Sequence, residues 1–439
     1  MQPTTAVLRQ AGFRASFDAF CIYLSSVLRI KVSAKKPART QSPETLYVTL
    51  KNASPKNGLT KKNIKMKGFL FSLLLITFSI NCYCQNEVEQ TYKFIKKQGE
   101  NPEKYVISKF KKYDYVFIGE YHRNKQDVDF VAGLIPKLYK NGVKNIAYEF
   151  YEYANQSKID SLLTAKEWND EKINHTLSKG FGICWGYTEY INLLKKVWVF
   201  NKTLKDNQPK FRVVMMQYEY FPCKKGLEMF GGVDPDKFMA DVVEKEIVSK
   251  GEKALIYCGI HHAFTIYQQP QYDFETKKFY GLSNKRLGNI LHAKYLEKTF
   301  TIFMHSPWMS NISEEEQSVR PANGTIDSAL EILKYKPVGF DVKNTFAGTL
   351  KSTDSYYSIG HKDFKLSDFC DGYIFLKPYK TVKFVSVDKN FYDEYNIKLL
   401  KQHFKCRGWS DEQINSIDNK KAIEILTEDP KEHFGKLAK

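Results

Sequence analysis

Side chains able to do chemistry gather at a few points of this sequence. The apolar run Tyr115–Ile118 is followed by Gly119, Glu120, Tyr121 and His122. The run Asn145–Tyr148 closes at Glu149, and Phe211–Met216 is followed by Gln217, Tyr218 and Glu219. Lys253–Cys258 leads into Gly259, Ile260, His261 and His262, and Phe300–Met304 leads into His305. Four of the nine histidines therefore stand at the ends of apolar runs, and the other five do not. Neutral imidazoles and carboxylates are the usual ligands of Zn, Mn, Co or Fe. A metal held by His122, His262 and a carboxylate would activate water and polarise a carbonyl. Without a metal, Glu120 and His122 would act as a base pair on a nucleophilic water.

Each residue also has a plain structural use. Gly119 and Gly259 would allow tight turns, and Glu120 would complement the dipole of a following helix. Glu149 is harder to place that way, because a carboxylate closing an apolar strand needs a partner. Of two adjacent histidines leaving a strand, one can point into a crevice and the other diverges. The shared Gly-x-x-His register makes His262 the counterpart of His122, leaving from an equivalent turn. His262 is expected in the site, with His261 behind it or in a structural role.

The runs that carry these residues are apolar on both faces, as strands buried on both sides of a sheet are. Helical patterns separate them. Val128, Val131, Leu134, Ile135 and Leu138 share one face up to Asn141-Gly142, with Pro136 expected to kink or shorten that helix. Thr188–Lys205 is an aromatic-rich helix. Asp234-Pro235 is an N-cap with proline at the first helical position, opening a helix to Lys250. Leu282–Glu297 is predicted helical. This alternation predicts an α/β fold with a mostly parallel sheet, helices on both faces and the site at the strand C-termini. Beyond about 306 the pattern weakens. Ser310–Asn323 reads as a loop, Tyr373–Leu376 and Val382–Val387 as strands, Tyr392–Phe404 as a helix, and Ser410 with Gln413 as a capping box. This part is expected to be an α+β appendage of one domain spanning 85–439.

The ordered set Gly119-Glu120-Tyr121-His122, Glu149 and Gly259-Ile260-His261-His262 resembles the haem-uptake/Tiki superfamily. That superfamily groups ChaN-type haem-binding lipoproteins, Tiki/TraB-type proteins and erythromycin esterases. The paired Gly-x-x-His motifs are similar to the Tiki/TraB branch. The segment IGEYHRN, with Ile159–Leu163 leading to Trp185 and the helix from Tyr187, is similar to the ChaN branch. NKRLGNIL from Asn284, which contains Arg286, is similar to a segment of esterase-like members. The likeness covers about 113–305. It implies a hydrolase of a peptide or ester bond, with Glu120, His122, Glu149 and His262 as catalytic residues. On the Tiki side, His122, Glu149 and His262 would hold Mn, Co or Zn. His261, Glu219, Arg286 and His305 would stand around them. On the ChaN side the implied function is haem or ligand binding in an iron-uptake route, without catalysis.

The net charge of +18 is unevenly spread. Residues 1–65 carry twelve Lys and Arg against Asp18 and Glu44, a net of +10, and the chain from 85 onward carries only +7. A nucleic-acid partner is therefore not expected. Residues 61–84 combine a basic stretch, the apolar run FLFSLLLITFSI and small residues at Cys82 and Cys84, the three parts of a secretory signal. The run is too short to span a bilayer. The expectation is translation from Met66, a signal peptide over 66–84, an extraneous 1–65, and export to the periplasm, cell surface or medium. Five cysteines then remain, Cys184, Cys223, Cys258, Cys370 and Cys406. With an odd count and no Cys-x-x-Cys, at least one thiol stays unpaired and a cysteine zinc site is not expected.

Overall fold

A computed structural model describes residues 86–312 and 318–429, together with Phe434 and Leu437. The expected leader and the segment before it lie outside the described residues. Eleven strands are described: β1 (Tyr115–Glu120), β2 (Asn145–Glu152), β3 (Arg212–Gln217), β4 (Ala254–Gly259), β5 (Gln269–Asp273), β6 (Lys278–Ser283), β7 (Thr299–Met304), β8 (Trp308–Met309), β9 (Ser318–Val319), β10 (Val338–Asp341) and β11 (Gly372–Phe375). Seven form the central sheet in the order β10-β11-β7-β1-β4-β2-β3. All neighbours are parallel except β10 and β11. The fold is α/β, as the alternation predicts.

Every residue of β1, β2, β4 and β7 is buried. Their side chains divide by parity between two cores. Val116 and Ile118 join Ile146, Tyr148, Leu255 and Tyr257 on one face. Tyr115 and Phe117 join Ala147, Ala254 and Ile256 on the other. Burying one such side chain contributes about 1.5–3 kcal/mol, so strands buried on both faces supply most of the drive to fold. Helix α1 (Lys125–Lys140) buries Val128, Val131, Leu134, Ile135 and Leu138. It packs beside α2 (Thr188–Thr203). Helix α3 (Pro235–Glu246) starts as expected, with the Asp234 side chain accepting from the Lys237 N–H.

Three local expectations fail, and one strand was not foreseen. Helix α1 runs on through Pro136, which lies on its exposed face while apolar neighbours hold the other face to the core. Leu282 and Ser283 end a β5–β6 hairpin, and the helix starts only at Leu287. Val382–Val387 is not a strand, although Phe384 bridges Asn124 and Val387 bridges Tyr187. Val338–Asp341, unremarked in the sequence, is an edge strand, its single register with β11 being antiparallel. The part after 306 thus supplies two strands of the central sheet. Among the described residues no helix is long and apolar enough to cross a membrane.

Candidate active site

The parallel pairing of β1 with β4 sets Glu120 directly beside Gly259. Tyr148 of β2 lies in line with Tyr257, so Glu149 emerges on the far side of the same edge. Glu120, His122, Glu149 and His262 are therefore delivered to one crevice, and Arg286 reaches it through Asp236. Gly259 is required there for space. A Cβ at that position would lie 2.6 Å from His122 Cε1 and 2.8 Å from its Nε2. Neither Gly119 nor Gly259 has a positive φ, so close approach and not turn geometry explains both.

Two carboxylate–imidazole pairs face each other. In the first, His122 Nδ1 lies 3.0 Å from Glu120 Oε1. The Tyr190 hydroxyl donates to the same oxygen at 2.6 Å, and the Tyr257 hydroxyl donates to Oε2. Glu120 is 1% exposed, and burial pushes it well above the usual carboxylate range despite the Tyr190 bond. Burial against Phe150 and Trp185 pushes His122 down to about 4. Its side chain keeps 41% of its area open to solvent, so the chemistry rests on the direction, toward a neutral ring. Its Nδ1 is occupied by Glu120. Its Nε2 edge lies against Gly259 and Glu149, with no hydrogen bond among the described residues.

The second pair is fully charged. His262 Nδ1 is 2.6 Å from Asp236 Oδ1 and its Nε2 is 3.2 Å from Glu149 Oε1. Burial alone would discharge this imidazole, but the flanking carboxylates outweigh it and raise His262 to about 10. Burial likewise opposes ionisation of Glu149, and His262, His122 and the Gly259 N–H at 2.6 Å together hold it at about 2. Asp236, buried too, is kept ionised by His262, by Arg286 Nη1 at 3.1 Å and by the Leu287 N–H at 2.8 Å. Two carboxylates and two cations thus balance in a buried network, the condition under which buried charge is tolerated.

His261 stands behind the crevice, while Glu219 and His305 lie elsewhere. His261 bonds the Tyr357 hydroxyl at 2.9 Å, and burial pushes it well below the usual imidazole range. Glu219 is exposed. His305 forms a separate buried cluster beside β7, bonding the Tyr373 hydroxyl at 2.6 Å and stacking on Tyr379. Asp236, Tyr190 and Tyr257 are partners that sequence reasoning missed. A surface pocket of about 560 Å³ lined by Lys144, Asn145, Arg212 and Glu252 lies at the opposite ends of β2–β4. It has no histidine or cysteine and is not part of this site.

The network does not fit the three-ligand metal centre expected of His122, Glu149 and His262. Both ring nitrogens of His262 are held by carboxylates. Among the described residues no group of three or more His, Cys, Asp or Glu is arranged to hold a metal ion. Tyr190 and Tyr257 are both directed at Glu120.

No family model and no curated protein matches the chain. Solved structures do. A succinoglycan biosynthesis protein is 11% identical with a TM-score of 0.46, over 68% of this chain and 98% of that one. A mutant erythromycin esterase EreC in its open conformation is 10% identical with a TM-score of 0.42, over 61% and 91%. The haem-binding ChaN of Campylobacter jejuni is 14% identical with a TM-score of 0.24, over 46% and 84%. The chain is thus similar to an erythromycin esterase and to a ChaN, two of the kinds named by its motifs. Likeness at this level speaks to fold and not to chemistry.

Proposed function

We propose that the protein is a hydrolase of small ester or amide substrates, working by acid–base catalysis at the two facing pairs. The observation that carries this is the placement of His122, anchored at Nδ1 by Glu120 with its Nε2 edge against Gly259, opposite the Glu149–His262 pair. In the form of the pair that has lost one proton, the Nε2 lone pair takes a proton from water as that water attacks the carbonyl, and Nε2 returns the proton to the departing alkoxide oxygen or amine nitrogen as the ester or amide bond breaks. His262, whose two ring nitrogens are held by Asp236 and Glu149, is a positioning residue that fixes the Glu149 carboxylate opposite the base. Glu149 and Asp236 together fix the ring plane of His262. The test is hydrolysis of p-nitrophenyl acetate and of a peptide panel by the wild type and His122→Ala. Loss of a general base lowers the rate about 10²–10⁴-fold. Undiminished hydrolysis by His122→Ala would overturn the assignment.

Export is part of the same proposal. Cys223 and Cys406 form a disulfide, while Cys184, Cys258 and Cys370 are buried and form none. Disulfides persist in oxidising compartments, which supports passage out of the cytoplasm through the 66–84 segment. N-terminal sequencing of the native protein tests it, and a mature chain beginning before residue 66 would refute it.

A further inference from the structure

We propose that Arg123 forms a carboxylate-binding site beside the catalytic pair, and that the chain's own Glu428 occupies it as a displaceable stand-in for a carboxylate of the substrate. This names the substrate class of the same crevice, an ester or amide carrying a carboxylate. It rests on the hydrolase assignment only for where the reacting bond lies.

Arg123 follows His122 in the chain, and the two share a wall. The guanidinium carbon is 5.6 Å from the centre of a Trp185 ring and 5.2 Å from that of Tyr187. The His122 ring is 5.1 Å from Trp185. Arg123 is held in a left-handed conformation, with φ of 72°, which non-glycine residues rarely adopt. The surroundings enforce it. Its N–H donates to the Tyr190 hydroxyl at 3.0 Å, and that hydroxyl in turn donates to Glu120. Its carbonyl accepts from the Val385 N–H at 2.9 Å. Strain of this kind persists where surrounding structure over-determines it, and it clusters at working sites. Here it fixes a cation next to the base, on the framework that orients the base.

The partner of that cation comes from the end of the described chain. Helix α4 (Asn419–Leu426) ends where the Leu426 carbonyl accepts from the Tyr187 hydroxyl at 3.1 Å. The next residues, Thr427–Asp429, have no regular structure, and Glu428 pairs with Arg123. Phe434 then lies 5.5 Å, ring to ring, from Tyr121. Tyr121, Arg123 and Tyr187 are thus all touched by residues between 426 and 434. A planar guanidinium recognises a carboxylate by geometry as well as charge. A carboxylate tethered by a short irregular segment is present at high effective concentration, yet leaves without unfolding a helix. Free carboxylates must therefore compete with Glu428.

Calorimetry with N-acetylglycine and its neutral amide, N-acetylglycinamide, tests this. Glu428→Gln keeps the size and removes the charge. The expected result is about 10–100-fold tighter binding of N-acetylglycine than in the wild type, with no change for the neutral amide. Adding Arg123→Gln to Glu428→Gln should abolish the gain. A folded Glu428→Gln variant with no gain for the anion, or an equal gain for the amide, overturns the proposal. Should Glu428→Gln not fold, the unaltered protein decides. The Arg123 side-chain N–H signals should shift on saturation with N-acetylglycine, and unmoved signals overturn the site. The measurement reads a binding constant and not a rate. A failure here leaves ester hydrolysis by the wild type to be judged on its own measurement, and a failure of hydrolysis leaves this binding to be judged likewise.

Discussion

Replacing His262 should damage the protein far more than replacing its neighbour His261, and in a way that depends on pH. His262 is the cation between Glu149 and Asp236, which are 5% and 4% exposed. His262→Ala leaves these carboxylates buried with only Arg286 nearby, and removing one partner of a buried pair typically costs about 3–5 kcal/mol. Against a typical total of about 5–15 kcal/mol, that loss is severe. His261→Ala removes a neutral bond to Tyr357 and a ring contact with Phe264, worth about 1–3 kcal/mol. The pH dependence follows from the shifts. His262 is raised from 6.5 to about 10, so its stabilisation is complete below 6.5 and lost as pH rises through about 10. Glu149 is lowered from 4.5 to about 2, so its stabilisation is present above 4.5 and lost as pH falls through about 2. In His262→Ala the stranded carboxylates are instead raised by burial, so the variant gains stability on acidification. The gap between wild type and variant should be widest near neutral pH and narrow at both ends. Urea unfolding followed by circular dichroism across pH measures it. If His262→Ala does not fold at neutral pH, its refolding on acidification is the readout. A His261→Ala loss as large as that of His262→Ala, or a gap constant from neutral to acid pH, would refute the charge assignment.

Glu120→Gln should lower hydrolysis about 10²–10⁴-fold. It should also remove the acidic limb of the pH–rate profile, which in the wild type lies above the usual carboxylate range because burial raises Glu120; an unmoved limb would assign that proton to another group. Gly259→Ala should keep the fold, since Gly259 lacks a positive φ, yet lower activity about 10²-fold by pushing the His122 ring aside. Full activity in that variant would mean that His122 is not confined. Reducing Cys223–Cys406, which closes a loop of 183 residues, should lower stability by about 2–4 kcal/mol, read as a fall in Tm with dithiothreitol; an unchanged Tm would show the bond absent or idle.

Strands β1, β2, β3, β4 and β7 were legible because parallel strands buried on both faces must be continuous apolar runs, and the runs of β1, β2 and β4 are followed by residues that the crevice uses. The β5–β6 hairpin was not. Leu282, Leu287 and Ile290 fall at intervals that mimic a helix, and only the pairing of Gln269 with Ser283 breaks the pattern. Asp236 was invisible for a different reason. It lies in the first turn of α3 beside Pro235, where an acidic residue needs no further explanation. Its partners His262 and Arg286 are 26 and 50 residues away. Tyr190 and Tyr257 are two of 28 tyrosines, and only the packing of α2 against the sheet selects them.

The two Gly-x-x-His motifs look equivalent in the sequence, and the register shows why the site is not symmetric. Gly119 lies in line with Cys258, and Glu120 with Gly259, so one motif is offset by a residue from the other. Successive residues of a strand face opposite sides, so an offset of one exchanges what each histidine meets. His122 stays beside the carboxylate two positions earlier in its own chain and packs over the bare backbone of Gly259. His262 has no carboxylate in its own motif and takes one from β2 and one from α3 instead. One ring is thereby kept neutral by burial and the other kept charged by two anions. A three-ligand metal site would need both rings neutral and turned to a common point. The offset register instead gives His122 one carboxylate neighbour and His262 two.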